Sequence, residues 1–263
     1  SSAPSGAKAG SGAYGVRRMA YGFRLLAILL LIAGSGCLHK DGTALGLQIL
    51  SLANPSHFST KITGVVGDEG AFQAGPVAVD DVNGDGIADI IVGVPGADFN
   101  NTTNNGAVYV ILGSAALPAG DRDLALIANA FAIYMGPTGG AGFGSTVATG
   151  DVSGDGVADI LIGEPGGDAN GRIDSGSVYV IFGGPSLAGG VRDVALSNPG
   201  ARFDAAVTLE LLGTSIATGD VNGDGVSGPD IGAPSAVAGG AVYVFLGGTF
   251  ANAVIDMGST PPN

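Results

Sequence analysis

The chain has 263 residues, of which ten are Lys or Arg and 23 are Asp or Glu, giving a formal net charge of −13, with 49 glycines, one cysteine and no tryptophan. That balance excludes nucleic acid as a partner, because a polyanion is repelled by a surface of its own sign. One cysteine excludes disulfides within the chain, and the two histidines, His39 and His57, form no Ser/His/Asp or Cys/His arrangement, so the composition argues against an enzyme.

Residues 1–18 are rich in Ser, Gly and Ala and read as a disordered stretch or as a start assigned upstream of Met19. Residues 19–37 read as a secretory signal: Arg24, an apolar run from Leu25 to Ala33, then Gly34-Ser35-Gly36 before Cys37. The run of nine apolar residues is too short to span a bilayer, which takes about 20. Cys37 stands where a bacterial lipoprotein signal places its acylated residue, although Gly34 occupies a position where Leu is usual. The two readings are a lipid anchor to the membrane through Cys37 and an ordinary signal with an incidental cysteine. Either places the protein outside the cell or on its surface, where a bound ion is the available cross-link.

Residues 38–263 are repetitive. Three segments nearly coincide: Asp81-Val-Asn83-Gly-Asp85-Gly-Ile87-Ala-Asp89, Asp151-Val-Ser153-Gly-Asp155-Gly-Val157-Ala-Asp159 and Asp220-Val-Asn222-Gly-Asp224-Gly-Val226, with starts 70 and 69 residues apart. Oxygen-bearing side chains at positions 1, 3, 5 and 9, with glycines at 4 and 6, suit a tight loop around a hard cation, and the carbonyl of Ile87, Val157 or Val226 adds a main-chain oxygen. An EF-hand is excluded, because position 12 is Val92, Ile162 or Gly232 rather than Glu, and an apolar β-branched run follows the first two loops. The expected ion is Ca2+. The third loop departs at position 9, where Gly228 stands; it either recruits Asp230 or binds calcium more weakly.

Each loop sits among short strand candidates. Val77–Val79, Thr146–Ala148 and Ser215–Ala217 lead in, Ile90–Val92 and Ile160–Ile162 lead out of the first two, and Gly93-Val94-Pro95, Gly163-Glu164-Pro165 and Gly232-Ala233-Pro234 stop the chain. A further strand follows at Ala107–Leu112, Ser177–Phe182 and Ala241–Leu246, and another candidate, Phe131–Met135, precedes the second loop. Four short antiparallel strands per unit of about 70 residues is the layout of a β-propeller blade. The strands are apolar on both faces, as stacked blades require. The fold class is therefore all-β, a β-propeller with about three blades: residues 46–113, 114–184 and 185–248, with 249–263 opening a fourth at Val254-Ile255-Asp256-Met257.

Phe143-Gly144, the loop at 151–159 and Gly163-Glu164-Pro165 together resemble the FG-GAP repeat of integrin α-subunit propellers and bacterial surface proteins. The first unit departs with Phe72-Gln73 and the third with Leu212-Gly213. The resemblance covers about residues 46–263 and implies a larger, seven-bladed ring of which this chain is a part; alternatives are a ring assembled from copies and a short open stack. It also implies a calcium-binding module for protein or glycan interaction and cell adhesion. The competing expectation is the non-catalytic propeller of a secreted hydrolase or lyase. Glu164, the acid inside a Gly-x-Pro turn, is expected to cap or face solvent, and Asn100-Asn101-Thr102-Thr103 carries glycosylation sequons that have meaning in a eukaryotic secretory host.

Overall fold

The computed structural model describes residues 60–63, 75–99, 101–114, 120–123, 130–195, 200–236, 239–248, 250 and 253–258. The signal segment, Cys37, both histidines and Phe72-Gln73 lie outside them. The chain divides into two units, Ser1–Ile49 and Leu50–Asn263, and every described residue belongs to the second.

The apolar runs become strands, in chain order β1 (Thr60–Thr63), β2 (Val77–Asp80), β3 (Asp89–Val94), β4 (Ala107–Ile111), β5 (Gly120–Asp123), β6 (Ala132–Met135), β7 (Thr146–Gly150) and β8 (Asp159–Glu164). A short 3₁₀ turn at Ala169–Gly171 precedes β9 (Ser177–Ile181), β10 (Gly190–Asp193), β11 (Ala201–Asp204), β12 (Ser215–Gly219), β13 (Gly228–Ala233), β14 (Ala241–Val244) and β15 (Ala253–Asp256). Strands β2-β3-β4-β6 form one antiparallel blade and β7-β8-β9-β11 the next, while β12-β13-β14 begin a third.

Two strand placements differ from those the sequence suggests. In sequence Phe131–Met135 reads as opening the second unit, but β6 closes the first blade beside β4, with Tyr109 opposite Ile133. The chain then crosses from this outer strand to β7, the first strand of the following blade. The segment around Val254–Asp256, which the sequence marks as opening a fourth unit, forms β15 and pairs in parallel with β11 of the second blade. Likewise β10 pairs in parallel with β6, and β5 with β1. Strands β10 and β15 lie in the excursion after the third strand of their own blade and reach back to the outer edge of the blade before, whereas β5, which follows β4, pairs with β1 in a separate two-stranded sheet. Consecutive blades are thus joined by backbone hydrogen bonds as well as by packing, and an otherwise open strand edge is covered.

Alternation explains why both faces of the strands are apolar. In β8, Ile160 and Ile162 pack toward the first blade with Ile91, Val108, Val110 and Tyr134, whereas Leu161 packs toward the third with Ile231 and Ala233. Strand β9 divides the same way, Tyr179 and Ile181 on one side, Val178 and Val180 on the other. Each fully buried Val, Leu or Ile contributes about 1.5–3 kcal/mol, so neither face is stable without its neighbour. On the third sheet Val242 and Val244, the counterparts of the buried Val178 and Val180, are exposed.

Glycine sets how closely blades approach. Gly144, at φ +82°, donates its N–H to the Gly163 carbonyl at 2.9 Å, and Gly213 does the same to Gly232 at 3.0 Å. The carbonyl of Gly144 lies against Gly93 of the preceding blade, where a Cβ would meet it at 2.2 Å; Gly213 stands likewise against Gly163, at 2.3 Å. Phe143 beside this contact is fully buried and meets the Tyr179 ring edge-on at 5.4 Å between centroids.

Candidate functional site

The acidic loops join β2 to β3, β7 to β8 and β12 to β13, so all three lie at the same end of their blades. Their glycines do what the sequence requires of them. Positions 4 and 6 take positive φ in every copy: +78° and +84° at Gly84 and Gly86, +82° and +89° at Gly154 and Gly156, +76° and +92° at Gly223 and Gly225. A side chain is strained there, and the reversal wraps the backbone around the first carboxylate.

That carboxylate is a hub for N–H groups. Asp81 Oδ1 accepts from Gly84 at 2.7 Å and Asp85 at 3.2 Å, and its Oδ2 accepts from Gly86 at 2.7 Å. Asp151 and Asp220 repeat the pattern with Gly154, Asp155 and Gly156, and with Gly223, Asp224 and Gly225. Burial pushes the Asp81 carboxyl up, but N–H groups of Gly86, Gly84, Asp85 and Asn83 outweigh it and hold the group below its usual range. At Asp220 the Gly225 N–H is the largest influence, and the result is again downward. Position 5 accepts from position 7: Asp85 from Ile87 at 2.8 Å, Asp155 from Val157 at 2.9 Å and Asp224 from Val226 at 2.9 Å. Position 3 differs among copies. Asn83 and Asn222 donate to Asp85 and Asp224, whereas Ser153 reaches Asp151 at 3.4 Å.

Position 9 is buried and braces the fold. Asp89 accepts from the Val82 N–H at 3.1 Å and, across the blade, from Gly113 at 2.8 Å just beyond β4. Asp159 accepts from Val152, Ser153 and Gly183, all within 2.9 Å. Burial raises both carboxyls against these hydrogen bonds, and Asp85 and Asp81 add to the rise at Asp89, as Asp155 does at Asp159. In the third unit no side chain fits: a Cβ on Gly228 would lie 1.7 Å from the Phe245 carbonyl. Asp230 occupies the strand position of Ile91 and Leu161, opposite Ala217 and Val244, with Oδ1 buried and lacking a hydrogen-bond partner.

Successive loops are also connected, a feature that their spacing did not reveal. The Asp81 carbonyl accepts from Ala158 of the second loop and the Asp151 carbonyl from Ser227 after the third, while Val82 and Val152 accept from Gly184 and Gly248. Gly84 packs on Val157, and Gly154 on Val226. The oxygen donors suit a hard cation, and Asp81 Oδ2 and both Asp89 oxygens each use one of two acceptor sites, leaving capacity for an ion. Among the described residues, no group of three or more His, Cys, Asp or Glu side chains is gathered as a finished metal cluster.

At the other end of β8 the structure departs from sequence expectation. Glu164 is 1% exposed rather than at the surface, and its Oε2 accepts the Tyr179 hydroxyl at 2.8 Å. Burial pushes its carboxyl up to about 7; the Tyr179 hydrogen bond and Arg202 oppose this, and Asp204 and Asp168 reinforce it. The same burial, followed by the charge of Glu164, pushes the Tyr179 phenol up, so the hydroxyl remains the donor. The third unit has a Tyr–Glu pair of different origin, Tyr243 donating to Glu210 from the turn before β12. The tyrosine is shared by all three units, but Val94 and Ala233 stand at the strand position of Glu164 in the other two.

Because the Glu164 carboxyl is raised on folding, the folded chain holds the proton more tightly than the unfolded one between pH 4.5 and about 7. Stability therefore falls as pH rises across that window and stays lower above it, by about 2–4 kcal/mol from this group. Glu164→Gln should remove that part of the slope and be more stable than wild type at pH 8, with a smaller difference at pH 5. Parallel melting curves for the two proteins across this range would contradict the assignment.

The FG-GAP repeat profile matches residues 77–111 and 143–181, which run from β2 through β4 and from Phe143 through β9. Phosphatidylinositol-glycan-specific phospholipase D of Bos taurus is 37% identical over 163 residues, covering 61% of this chain and 18% of that protein. Integrin alpha-PS2 of Drosophila melanogaster is 38% identical over 133 residues, 46% of this chain and 9% of its own. Integrin alpha-PS5 of the same organism is 28% identical over 177 residues, 64% and 15% respectively. The chain thus spans less than a fifth of the length of these curated relatives. Residues 77–111 and 143–181 are FG-GAP repeats, and the sheets they form are propeller blades.

Proposed function

From a chain built on FG-GAP blades, we propose an exported, calcium-stabilised binding module whose loops present a surface to protein or glycan partners in adhesion. The observation that carries the reading is the shared loop geometry: three acidic turns with the same left-handed glycines, bonded to one another along one end of the blades. The ligands are Asp81, Asn83, Asp85, the Ile87 carbonyl and Asp89 in the first loop, and Asp151, Ser153, Asp155, the Val157 carbonyl and Asp159 in the second. The third loop offers Asp220, Asn222, Asp224 and the Val226 carbonyl, with Asp230 one pleat beyond Gly228, and is the weakest of the three. In the loops, calcium neutralises carboxylates that repel one another and holds the turn between two strands. The reading also takes residues 19–37 as an export signal, with Cys37 as the site of a lipid anchor.

Extracellular modules hold calcium with dissociation constants of about 10⁻⁴–10⁻³ M, so millimolar calcium adds about 1 kcal/mol per site. Chelation should lower the melting temperature, and Asp85→Ala or Asp155→Ala should each remove part of that response. A melt indifferent to chelator, with no heat of calcium binding by calorimetry, would count against the proposal. Likeness to phosphatidylinositol-glycan-specific phospholipase D supports a second reading, in which the blades are the non-catalytic part of a secreted hydrolase. An adjoining catalytic domain in the full reading frame would favour it.

A further inference from the structure

A second feature lies roughly 17 Å along β8 from Asp159, counting about 3.4 Å per residue. Here a pocket of about 190 Å³ opens between the first two blades, lined by the Pro137-Thr138 turn after β6, by Asp168, Ala169 and Asn170 of the β8–β9 connection, and by Glu164, Ser177, Tyr179 and Arg202. Strand register assembles its wall. Glu164 is opposite Ser177, Ser177 opposite Asp204 and Tyr179 opposite Arg202, so one face of three adjacent strands carries five polar side chains.

Most of the wall is fixed internally. Arg202 donates twice to Asp204, at 2.7 and 2.6 Å, and Ser177 and Asn170 donate to the same carboxylate at 2.9 and 3.2 Å. Asp168 accepts from the Asp174 N–H at 2.8 Å. The exception is Glu164 Oε1, a buried atom with no hydrogen-bond partner, on a residue that lines the pocket. A buried acceptor without a donor is costly, of the order of 1–3 kcal/mol, so a group that supplies the donor gains by entering.

We propose that this inter-blade pocket binds a small neutral polyhydroxyl ligand, of the size of one sugar ring, with a hydroxyl donating to Glu164 Oε1. The wall offers both signs of hydrogen-bonding group side by side: Glu164, Asp168 and the Asn170 carbonyl as acceptors, Arg202 and the Thr138 hydroxyl as donors. A polyol meets both, since each hydroxyl donates and accepts, whereas an ammonium ion only donates. The pocket is smaller than the roughly 300–1,000 Å³ of clefts that enclose drug-sized molecules. The site stands apart from the acidic loops and does not depend on calcium filling them.

The test is saturation-transfer NMR of the purified chain with a panel of free hexoses, hexosamines, N-acetylhexosamines and pentoses, alongside methylammonium, each with calcium and with chelator. The expected result is contact with at least one neutral sugar, weakened about tenfold in Glu164→Gln and in Asn170→Ala. Asn170 is exposed, so the second variant keeps the test valid if the first misfolds, and melting curves report folding for both. No sugar contact up to about 100 mM, well beyond ordinary weak binding, overturns the proposal. So does binding unchanged in both variants, or methylammonium binding in place of every neutral sugar. Loss of calcium binding with sugar contact retained would overturn the calcium reading alone.

Discussion

Replacing Asp159 by Ala is expected to be among the most damaging single changes in the chain, in the absence of calcium as well as in its presence. Its carboxylate is fully buried and satisfies three backbone N–H groups, from Val152, Ser153 and Gly183. Removing it strands those donors away from water at about 1–3 kcal/mol apiece, partly relieved by local relaxation, for a net loss of about 3–5 kcal/mol. Asp159→Asn should recover part of this, because an amide keeps one acceptor oxygen. The contrast is with Asp85→Ala, an exposed change that should cost little under chelator and show its effect when calcium is added. Urea unfolding of the three variants with and without calcium separates the roles. If Asp159→Ala matched Asp85→Ala under chelator, the brace assigned to position 9 would be wrong.

Gly163→Ala should be comparably severe, for a steric reason. Its new methyl group would lie 2.1 Å from the Thr146 hydroxyl oxygen and 2.3 Å from the Gly213 carbonyl, where the second and third blades meet. Overpacking of a well-filled interface costs about 1–3 kcal/mol, and more when the obstacle is backbone; a loss of about 3 kcal/mol or greater is expected. Gly156→Ala is the matched control, because it has open space around the added methyl and only an unfavourable φ of +89°. That change should cost about 1–2 kcal/mol. Equal midpoints for the two variants in urea would show that the blades separate easily at this contact.

Much of this protein was legible one residue at a time. Alternate oxygen-bearing residues with glycines at positions 4 and 6 specified the turns, since a left-handed backbone excludes most side chains, and all six glycines adopt it. Runs such as Ile160-Leu161-Ile162, apolar at successive positions, specified strands buried on both faces, because neighbouring side chains on a strand point to opposite sides. These are local properties, written within a few residues.

What the tertiary structure decided is where separate segments meet. Asp89 and Asp159 read as ligands in sequence, and only the fold adds their second role, as acceptors for the N–H groups of Gly113 and Gly183, 24 residues away. Strands β10 and β15 join the blade before their own, a choice set by which edge is open when the chain returns. Glu164 reads as a turn residue, yet blade stacking buries it against Tyr179 and opens a pocket beside it. Each of these depends on contacts distant in sequence, and a pattern of neighbouring residues fixes the direction of a side chain without fixing what will stand opposite.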